Sequence, residues 1–428
     1  MTPVPKLPAR LLSDGGYVAA GQALSAIGAV AGIRLLTELV SPATFGTVTL
    51  AIGVGALAIN VACTPVTQAA IHFHPAFAAD GRLPLLTRTL RQALGRAAGW
   101  LAVAGLAGGA AWVMAGDADP GVLAVIAALV VVDGLRALEM ALLNADRRHG
   151  RYAAWSAAEA VLRPLVAAAA VLVLGGTPLV VLVAYLGTSV LLLAGFSDRA
   201  RPVGGPAPDP ALAQRIWHYA LPLVPLGAVG WVNGLGDRYI IAGVLTVADA
   251  GIYAAAYGLV SRPFLMLGQT VELTLRPLYQ AAVTAGDTPR ADRLLRAWFL
   301  TVSTAGAIGV ALVATASDLL ARFLLGAEFR GGAALMPWIA AGYALIIVAH
   351  VFERVCFAYG RTRWVLVIQT GSAAAGLAAT LFGALGWGLK GAAVAVPVYF
   401  AVQLGLSAVA AWDTRRRALA PQAGTAPA

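Results

Sequence analysis

The feature that most constrains this chain is a series of apolar stretches, each about as long as a membrane-spanning helix. Lipid offers the backbone no hydrogen-bond partner, so such stretches must be helical, and the short alternating strands of a membrane barrel are not seen. The sequence therefore predicts an all-α polytopic membrane protein with about twelve transmembrane helices. The candidate spans are residues 17–39, 44–66, 96–116, 121–144, 152–174, 178–196, 219–242, 249–274, 297–316, 334–358, 364–386 and 391–412.

The composition excludes other classes of protein. Of 428 residues, 60% are apolar before the 48 glycines are counted, and only 12% are charged. Charged residues make up about a quarter of a typical soluble domain, so a soluble enzyme and a disordered chain are excluded. Cys63 and Cys356 both lie in apolar stretches, so neither a disulfide nor a metal site is expected. No phosphate-binding loop or nucleophile elbow is present in the sequence, so we expect no enzymatic activity and no cofactor.

The basic residues predict the orientation of the chain. If both termini are cytoplasmic, the cytoplasmic segments hold 21 of the 30 lysines and arginines, the external loops hold three and the spans hold six. This asymmetry is typical of the positive-inside bias of membrane proteins. The net charge of +10 then follows from membrane topology, and nucleic acid is not an expected partner.

A polar linker divides the twelve spans into six and six. Residues 197–213 (SDRARPVGGPAPDPALA) are rich in Pro and Gly. The halves resemble each other weakly: at an offset of 205, Gly46 matches Gly251 and Arg88 matches Arg293. Six spans per repeat predict two parallel six-helix lobes around a central cavity, as in transporters. The predicted organisation is an N-terminal lobe (1–196), a cytoplasmic linker (197–213), a C-terminal lobe (214–412) and a cytoplasmic tail (413–428).

Short motifs at the ends of the spans carry a family resemblance. They are Ser41–Gly46 (SPATFG), Ala248–Tyr257 (ADAGIYAAAY), Leu324–Gly332 (LLGAEFRGG), Ala358–Arg363 (AYGRTR) and Gly388–Val394 (GLKGAAV). With these motifs and the six-plus-six layout, nearly the whole chain resembles the polysaccharide transporter (oligosaccharide flippase) family. That family is part of the multidrug/oligosaccharidyl-lipid/polysaccharide exporter (MOP) superfamily.

The resemblance implies a function, a location and a set of partners. It implies a flippase that moves an undecaprenyl-diphosphate-linked glycan from the inner to the outer leaflet by alternating access, for polysaccharide or lipopolysaccharide export. The location would be the bacterial cytoplasmic (inner) membrane. The partners would be the lipid-linked oligosaccharide, membrane lipids, and a polysaccharide polymerase or glycosyltransferases.

Arg262 is the main candidate for binding the lipid diphosphate. It lies near the middle of the eighth span, and the nearest carboxylate along that helix, Glu272, is about 15 Å away at helical rise. A buried guanidinium group without a partner is costly in a membrane, so Arg262 needs a carboxylate on another helix or an anionic ligand. A diphosphate suits the planar fork of arginine, which binds phosphate oxygens bidentately.

Arg34 and Arg163 are further candidates for diphosphate binding. In lipid II flippases, cavity arginines on the first and eighth helices are thought to hold the diphosphate, and Arg34 and Arg262 lie on the corresponding helices. Arg163 precedes Pro164 in the fifth span, as Arg262 precedes Pro263. The alternative is local pairing, since Glu38 and Glu159 lie four residues from Arg34 and Arg163 respectively.

Asp133, Arg136 and Glu159 are candidates for coupling or for ion pairing. Asp133 is the mid-membrane carboxylate best placed to take up a proton if transport is proton-coupled. The alternative is a permanent pair with Arg136, three residues along the same helix. Two other acid–base neighbours, Asp237–Arg238 and Glu353–Arg354, lie towards span ends, where we expect side chains to reach the interface.

Two helix surfaces have predicted packing roles. Gly28 and Gly32 form a GxxxG motif in the first span, which indicates close helix packing. The segment Leu83–Leu94 is basic and amphipathic, so we expect its apolar face to lie on the anionic inner leaflet.

Other functions remain as alternatives. A cation-coupled multidrug exporter of the same superfamily would need a cavity that favours cations, whereas Arg163 and Arg262 lie at mid-membrane. A major-facilitator transporter would carry a DRxGRR-like second-to-third loop, for which only Asp80–Arg82 (DGR) is present. A membrane glycosyltransferase or ligase would need a substantial external loop or an external catalytic acid.

Overall fold

The computed structural model of the protein describes residues 9–114, 119–197 and 207–419, and within these residues it contains helices and turns but no strand. Most of the predicted linker and the end of the predicted tail lie outside the described residues. We number the long helices α1–α12. Eight helical stretches of the described residues are long and apolar enough to cross a membrane.

The first six helices match the first six predicted spans and extend several of them. Helix α2 contains one π-helical turn, Ile59–Cys63, between two α-helical parts. The bounds are α1 Ala9–Leu39, α2 Pro42–Ala58 and Thr64–Ala79, α3 Leu83–Met114, α4 Pro120–Ala145, α5 His149–Leu174 and α6 Pro178–Phe196.

The second six helices match the remaining spans. Helix α7 has two parts joined by the 3-10 turn Leu221–Leu223, and a kink at Trp387 and Gly388 divides Thr362–Leu419 into α11 and α12. The other bounds are α7 Pro210–Ala220 and Val224–Val244, α8 Val247–Thr284, α9 Thr288–Leu324 and α10 Met336–Ala358.

Several helices begin with the same local signal, a capping side chain followed directly by proline. Proline suits the first helical position because the amide hydrogen that it lacks would have no intrahelical partner there. The capping oxygen accepts a hydrogen bond from a free backbone N–H in the first turn. The pairs are Ser41–Pro42, Asp119–Pro120, Thr177–Pro178 and Asp209–Pro210.

The chain divides into two compact units. The N-terminal unit comprises Met1–Trp231 and Gly326–Glu328, and the C-terminal unit comprises Val232–Leu325 and Phe329–Ala428. The first part of α7 belongs to the N-terminal unit because Leu212 and Ile216 are buried in its core.

The amphipathic start of α3 is buried against protein, which corrects the prediction that it lies on the membrane surface. Leu86, Leu90 and Leu94 have no exposed surface, and they pack in one core with residues of α2, α4 and α7. The sequence shows the apolar face of Leu83–Leu94 but not what covers it. A protein core and a lipid surface call for the same amphipathic pattern.

Helices α1 and α5 approach each other closely through glycine, which confirms the packing role predicted for the GxxxG motif. A Cβ atom at Gly28 would lie 2.9 Å from the carbonyl oxygen of Ala160. A Cβ atom at Gly32 would lie 2.8 Å from the ring of Pro164. Small residues at both positions are therefore required for this backbone contact.

Replacing Gly28 with alanine is expected to destabilise the protein by about 1–3 kcal/mol, because the new methyl group would overpack the α1–α5 contact. Gly187→Ala is the matched control, since a Cβ atom there meets nothing within 4 Å and alanine favours the helix. Thermal unfolding of the purified proteins in detergent would measure both effects. Equal stability of the two variants would contradict the close α1–α5 packing.

Candidate functional site

Four charged side chains of α4 and α5 meet inside the N-terminal unit. We call Asp133, Arg136, Glu159 and Arg163 the ion cluster. Arg163 Nη2 donates to both carboxylate oxygens of Asp133, at 2.6 and 2.8 Å, and Arg163 Nη1 lies 3.0 Å from Glu159 Oε1. Arg136 Nη1 donates to Glu159 Oε2 at 2.5 Å, and Arg136 Nε lies 3.4 Å from Asp133 Oδ1. Each arginine contacts both carboxylates, so the cluster is electrically balanced.

The two pairs predicted within single helices, Asp133–Arg136 and Glu159–Arg163, are present. The contacts between helices were not predicted, and they are the shorter ones. Arg163 also donates a hydrogen bond to Ser189 on α6. The diphosphate role predicted for Arg163 would therefore require it to leave two carboxylates.

A cavity of about 270 Å³ adjoins the ion cluster. Its lining includes Asp133, Arg136 and Arg163 together with Asn60 of α2 and Tyr185 of α6. The Nε atoms of both arginines are buried and make no hydrogen bond within the described residues. A polar cavity of this size can hold water, which would satisfy these two donors.

Arg34 forms the local pair that its spacing allows. Its guanidinium group donates to Glu38, one helical turn away on α1. The side chains are 36% and 53% exposed, respectively. Exposed pairs of this kind contribute little to stability, so Arg34 can exchange its partner more readily than Arg163 can.

Arg262, on α8, has no hydrogen bond or ion pair with any described residue, and it is exposed. Glu272, the nearest carboxylate along the helix, is occupied by two other arginines. Its Oε1 atom lies 3.0 Å from Arg276 Nη1 and 2.7 Å from Arg354 Nε. The structure therefore provides Arg262 with no carboxylate among the described residues.

Arg238, on α7, is a second arginine of the C-terminal unit. Its guanidinium group forms no ion pair with a carboxylate of any described residue. The group lies over the ring of Tyr257, 5.1 Å from the centroid, and its Nε atom is buried without a hydrogen bond to any described residue. The neighbouring Asp237 accepts from Tyr253 Oη at 2.6 Å and from the backbone N–H of Arg238 at 2.8 Å.

Arg238 and Arg262 form what we call the arginine pair. The guanidinium group of Arg238 lies over Tyr257 of α8, and Arg262 follows five residues later on that helix, about 7.5 Å further along its axis. Two like charges inside a membrane protein are unfavourable in the absence of a counter-ion. The sequence did not reveal Arg238 as a candidate, because its adjacent Asp237 suggested a local pair near the interface.

Glu353 also differs from the expectation that it reaches the interface. It is only 3% exposed. Its carboxylate accepts hydrogen bonds from the side-chain amides of Gln369 at 3.2 Å and Gln403 at 2.9 Å. Asp237 is likewise buried, at 8% exposed. Both acids sit in hydrogen-bonded networks inside the C-terminal unit, so neither is available as a direct partner for Arg262.

Cys63 and Cys356 are buried free thiols. Among the described residues, no group of three or more His, Cys, Asp or Glu side chains is arranged to hold a metal ion.

Comparison with known families and structures gives consistent results. The model of a family described as polysaccharide biosynthesis protein matches residues 35–333. A comparison with curated protein sequences finds no significant match.

Three solved structures illustrate the similarity in fold. The lipid II flippase MurJ in an inward closed conformation superposes with a TM-score of 0.73, at 11% identity, over 91% of this chain and 86% of MurJ. An inward-facing multidrug resistance MATE transporter of the MOP superfamily gives 0.73, at 11% identity, over 94% and 96% of the two chains. A MOP superfamily transporter from Pyrococcus furiosus, described as having a binding pocket of reverse polarity, gives 0.62, at 11% identity, over 96% and 94%.

These findings confirm the predicted fold class, an all-α polytopic membrane protein of about twelve helices in two six-helix lobes. The family model, which covers more than half of the chain, also agrees with the predicted resemblance to a polysaccharide family. The substrate and the residues that bind it are not specified by similarity at this level of identity.

Proposed function

Because the chain belongs to the polysaccharide biosynthesis protein family, we propose that it is a flippase for an undecaprenyl-diphosphate-linked glycan. It carries the glycan from the inner to the outer leaflet of the bacterial cytoplasmic membrane by alternating access. Both termini are cytoplasmic. The protein makes and breaks no covalent bond, and the polyprenyl tail stays in the lipid.

The arginine pair is the observation that carries this proposal. Neither arginine forms an ion pair with a described residue. The adjacent Asp237 can balance at most one of the two charges, so an anionic ligand would balance the other. A diphosphate offers several oxygens, and each guanidinium group can bind two of them through its planar fork. Because Arg262 is exposed, it is free to meet a ligand without breaking a contact within the unit.

The ion cluster has a separate role in this proposal. It holds α4 and α5 together while both acids are charged. Uptake of a proton by Asp133 would remove the charge that Arg163 contacts at 2.6 Å. Within the cluster Arg163 would then keep its ion pair with Glu159, on its own helix, so the contact between α4 and α5 would loosen. Asp133, Arg136 and Glu159 thus form the coupling element, with the adjacent cavity as the source of water.

A multidrug exporter is the main competing function, since MATE transporters are as similar in fold as MurJ. A cationic drug would be repelled by the arginine pair, however. The carboxylates of Asp237 and Glu272 are already hydrogen-bonded or ion-paired. The described residues of the C-terminal unit therefore favour an anionic substrate.

Deletion of the gene from its native host tests the proposed function. We expect the lipid-linked glycan to accumulate in the cytoplasmic leaflet and the surface glycan to be lost, because the proposed flippase is what moves the glycan head group across the membrane. Mass spectrometry of extracted lipids and surface-glycan staining would measure the two effects. A drug-susceptibility panel serves as the control and should not change. A strain that keeps its surface glycan but becomes drug-sensitive would support the multidrug exporter instead.

A further inference from the structure

Helix α2 carries a stripe of uncharged polar side chains, of which only the first, Asn60, also lines the cavity beside the ion cluster. Asn60, Thr64, Gln68 and His72 follow one another at intervals of four residues. Residues at this spacing lie on one face of a helix. The stripe begins in the π-helical turn Ile59–Cys63, and such turns are frequent at functional sites.

The stripe faces α7, on both sides of its 3-10 turn, across a groove within the N-terminal unit. The inner part of this α2–α7 groove has a volume of about 530 Å³, and its lining includes Asn60, Thr64 and Gln68. The outer part has a volume of about 680 Å³, and its lining includes Phe73 and Arg215. Tyr219 lines both parts. Each volume is within the range of small-molecule sites.

The amides of the stripe have unused hydrogen-bonding capacity. Thr64 donates to Asn60 Oδ1 at 3.4 Å. Apart from this contact, the side chains of Asn60 and Gln68 make no hydrogen bond within the described residues. Each amide offers two donor hydrogens and an acceptor oxygen. Unpaired amides in a membrane-spanning helix are tolerated where they line a polar cavity, so the groove is suited to a polar ligand.

Aromatic rings define the outer end of the stripe. The ring of His72 stacks on Tyr219, with centroids 4.4 Å apart and planes 13° apart. Phe73 meets Tyr219 edge to face at 5.9 Å, and Arg215 lies over Phe73 at 5.5 Å. Tyr219 is therefore held in position at the junction between the two parts of the groove.

Direct backbone contact closes the inner end of the groove. A Cβ atom at Gly227 of α7 would lie only 2.2 Å from the carbonyl oxygen of Asn60. Trp231 Nε1 donates to the carbonyl oxygen of Gly53 at 2.7 Å. These contacts fix α7 against α2, so the groove is part of the packed N-terminal unit.

The lining of the inner part of the groove favours one class of ligand, whereas the outer part also contains Arg215. The residues around the inner part are amides, a hydroxyl group, a phenol and apolar groups, with no charged side chain among the lining residues. A phosphate would require cations, and a cationic drug would require carboxylates. Sugar hydroxyls both donate and accept hydrogen bonds, as do the amides and the threonine, and the apolar faces of sugar rings pack on aromatic rings.

We propose that the α2–α7 groove binds the sugar residues of the lipid-linked substrate. This inference rests on the proposed function, and it adds a site that is separate from the diphosphate ligands. The stripe of α2 supplies the hydrogen bonds, and Tyr219 supplies the aromatic surface.

Binding of defined lipids to the purified full-length protein in nanodiscs tests this proposal. The probes are undecaprenyl diphosphate and three derivatives that carry N-acetylglucosamine, glucose or galactose, with binding measured by native mass spectrometry. We expect at least one sugar-bearing lipid to bind about tenfold more tightly than the bare diphosphate, as two additional hydrogen bonds would provide.

The double variant Thr64→Val/Gln68→Leu is expected to lose this tenfold preference and to keep the affinity for the bare lipid. Because Gln68 is exposed, the change should not impair folding. Thr47→Val on the same helix is the control. The Thr47 hydroxyl already donates to the carbonyl oxygen of Ala43 at 3.0 Å, so this variant should keep the preference.

The remaining outcomes separate the two proposals. A preference that persists in the double variant would overturn the sugar site. A wild-type protein that binds the bare lipid and all three derivatives equally would overturn the sugar site but not the diphosphate site. A wild-type protein that binds none of the lipids would overturn the proposed function and the sugar site with it.

Discussion

Arg262→Ala is expected to weaken the binding of undecaprenyl diphosphate by about 10- to 100-fold. A hydrogen bond to a charged group contributes about 1.5–3 kcal/mol, which corresponds to that range of affinity. Arg262→Lys should give an intermediate affinity, because lysine keeps the charge but lacks the planar fork. Titration of the purified variants in nanodiscs would measure these effects.

Two controls separate ligand binding from folding in this experiment. Arg322→Ala removes an exposed arginine from the last turn of α9, and this variant should bind like the wild type. The thermal stability of Arg262→Ala should also be unchanged, because Arg262 has no partner among the described residues. Unchanged affinity for the diphosphate in Arg262→Ala would contradict its assignment as a ligand.

Arg163→Met is expected to destabilise the N-terminal unit by about 3–5 kcal/mol. The substitution leaves Asp133 and Glu159 with Arg136 as their one remaining arginine in the ion cluster. One carboxylate charge is then unbalanced, and an uncompensated buried charge is costly. The side chain of Arg163 is only 19% exposed, and those of the two acids are 12% and 14% exposed. Solvent therefore screens these charges weakly, and unfolding of the purified protein in detergent would show the loss.

A second substitution tests whether charge is the cause of that loss. Asp133→Asn added to Arg163→Met removes the one carboxylate charge that the loss of Arg163 leaves unbalanced, so it should restore part of the stability. Removing Arg34 provides the contrast, since its pair with Glu38 is exposed and should contribute little. If Arg163→Met were as stable as Arg34→Met, the ion cluster would not hold α4 and α5 together.

The architecture of the protein could be predicted from its sequence because the membrane requires long apolar helices. The twelve helices follow from hydropathy, and their first turns follow from caps such as Ser41–Pro42. Ion pairs within one helix could also be predicted, because the spacing of Glu159 and Arg163 brings them together wherever that helix lies.

Contacts between helices could not be predicted in the same way. The pairing of Arg163 with Asp133 depends on the rotation of α4 against α5, and helical spacing does not specify that rotation. The same limit applies to Leu86 and Leu90, whose apolar face is buried by protein. In both cases the pattern shows that a partner is needed but not which partner it is.

Because contacts between helices could not be predicted, the two Arg–Pro pairs could not be told apart from the sequence. Arg163–Pro164 and Arg262–Pro263 look equivalent in the sequence, yet Arg163 contacts two carboxylates and Arg262 contacts none among the described residues. An acidic residue next to an arginine in the sequence also does not predict that their side chains form an ion pair. Asp237 accepts from Tyr253, and the guanidinium group of Arg238 lies over Tyr257 instead.

The most direct test of the central claim is transport by the purified protein in liposomes. An undecaprenyl-diphosphate-linked glycan with a labelled sugar is placed in the inner leaflet, and its arrival outside is measured with an added glycan-cleaving enzyme. The account predicts transport by the wild type and none by the folded double variant Arg238→Ala/Arg262→Ala. Transport by that variant at the wild-type rate would contradict the claim that the arginine pair carries the diphosphate.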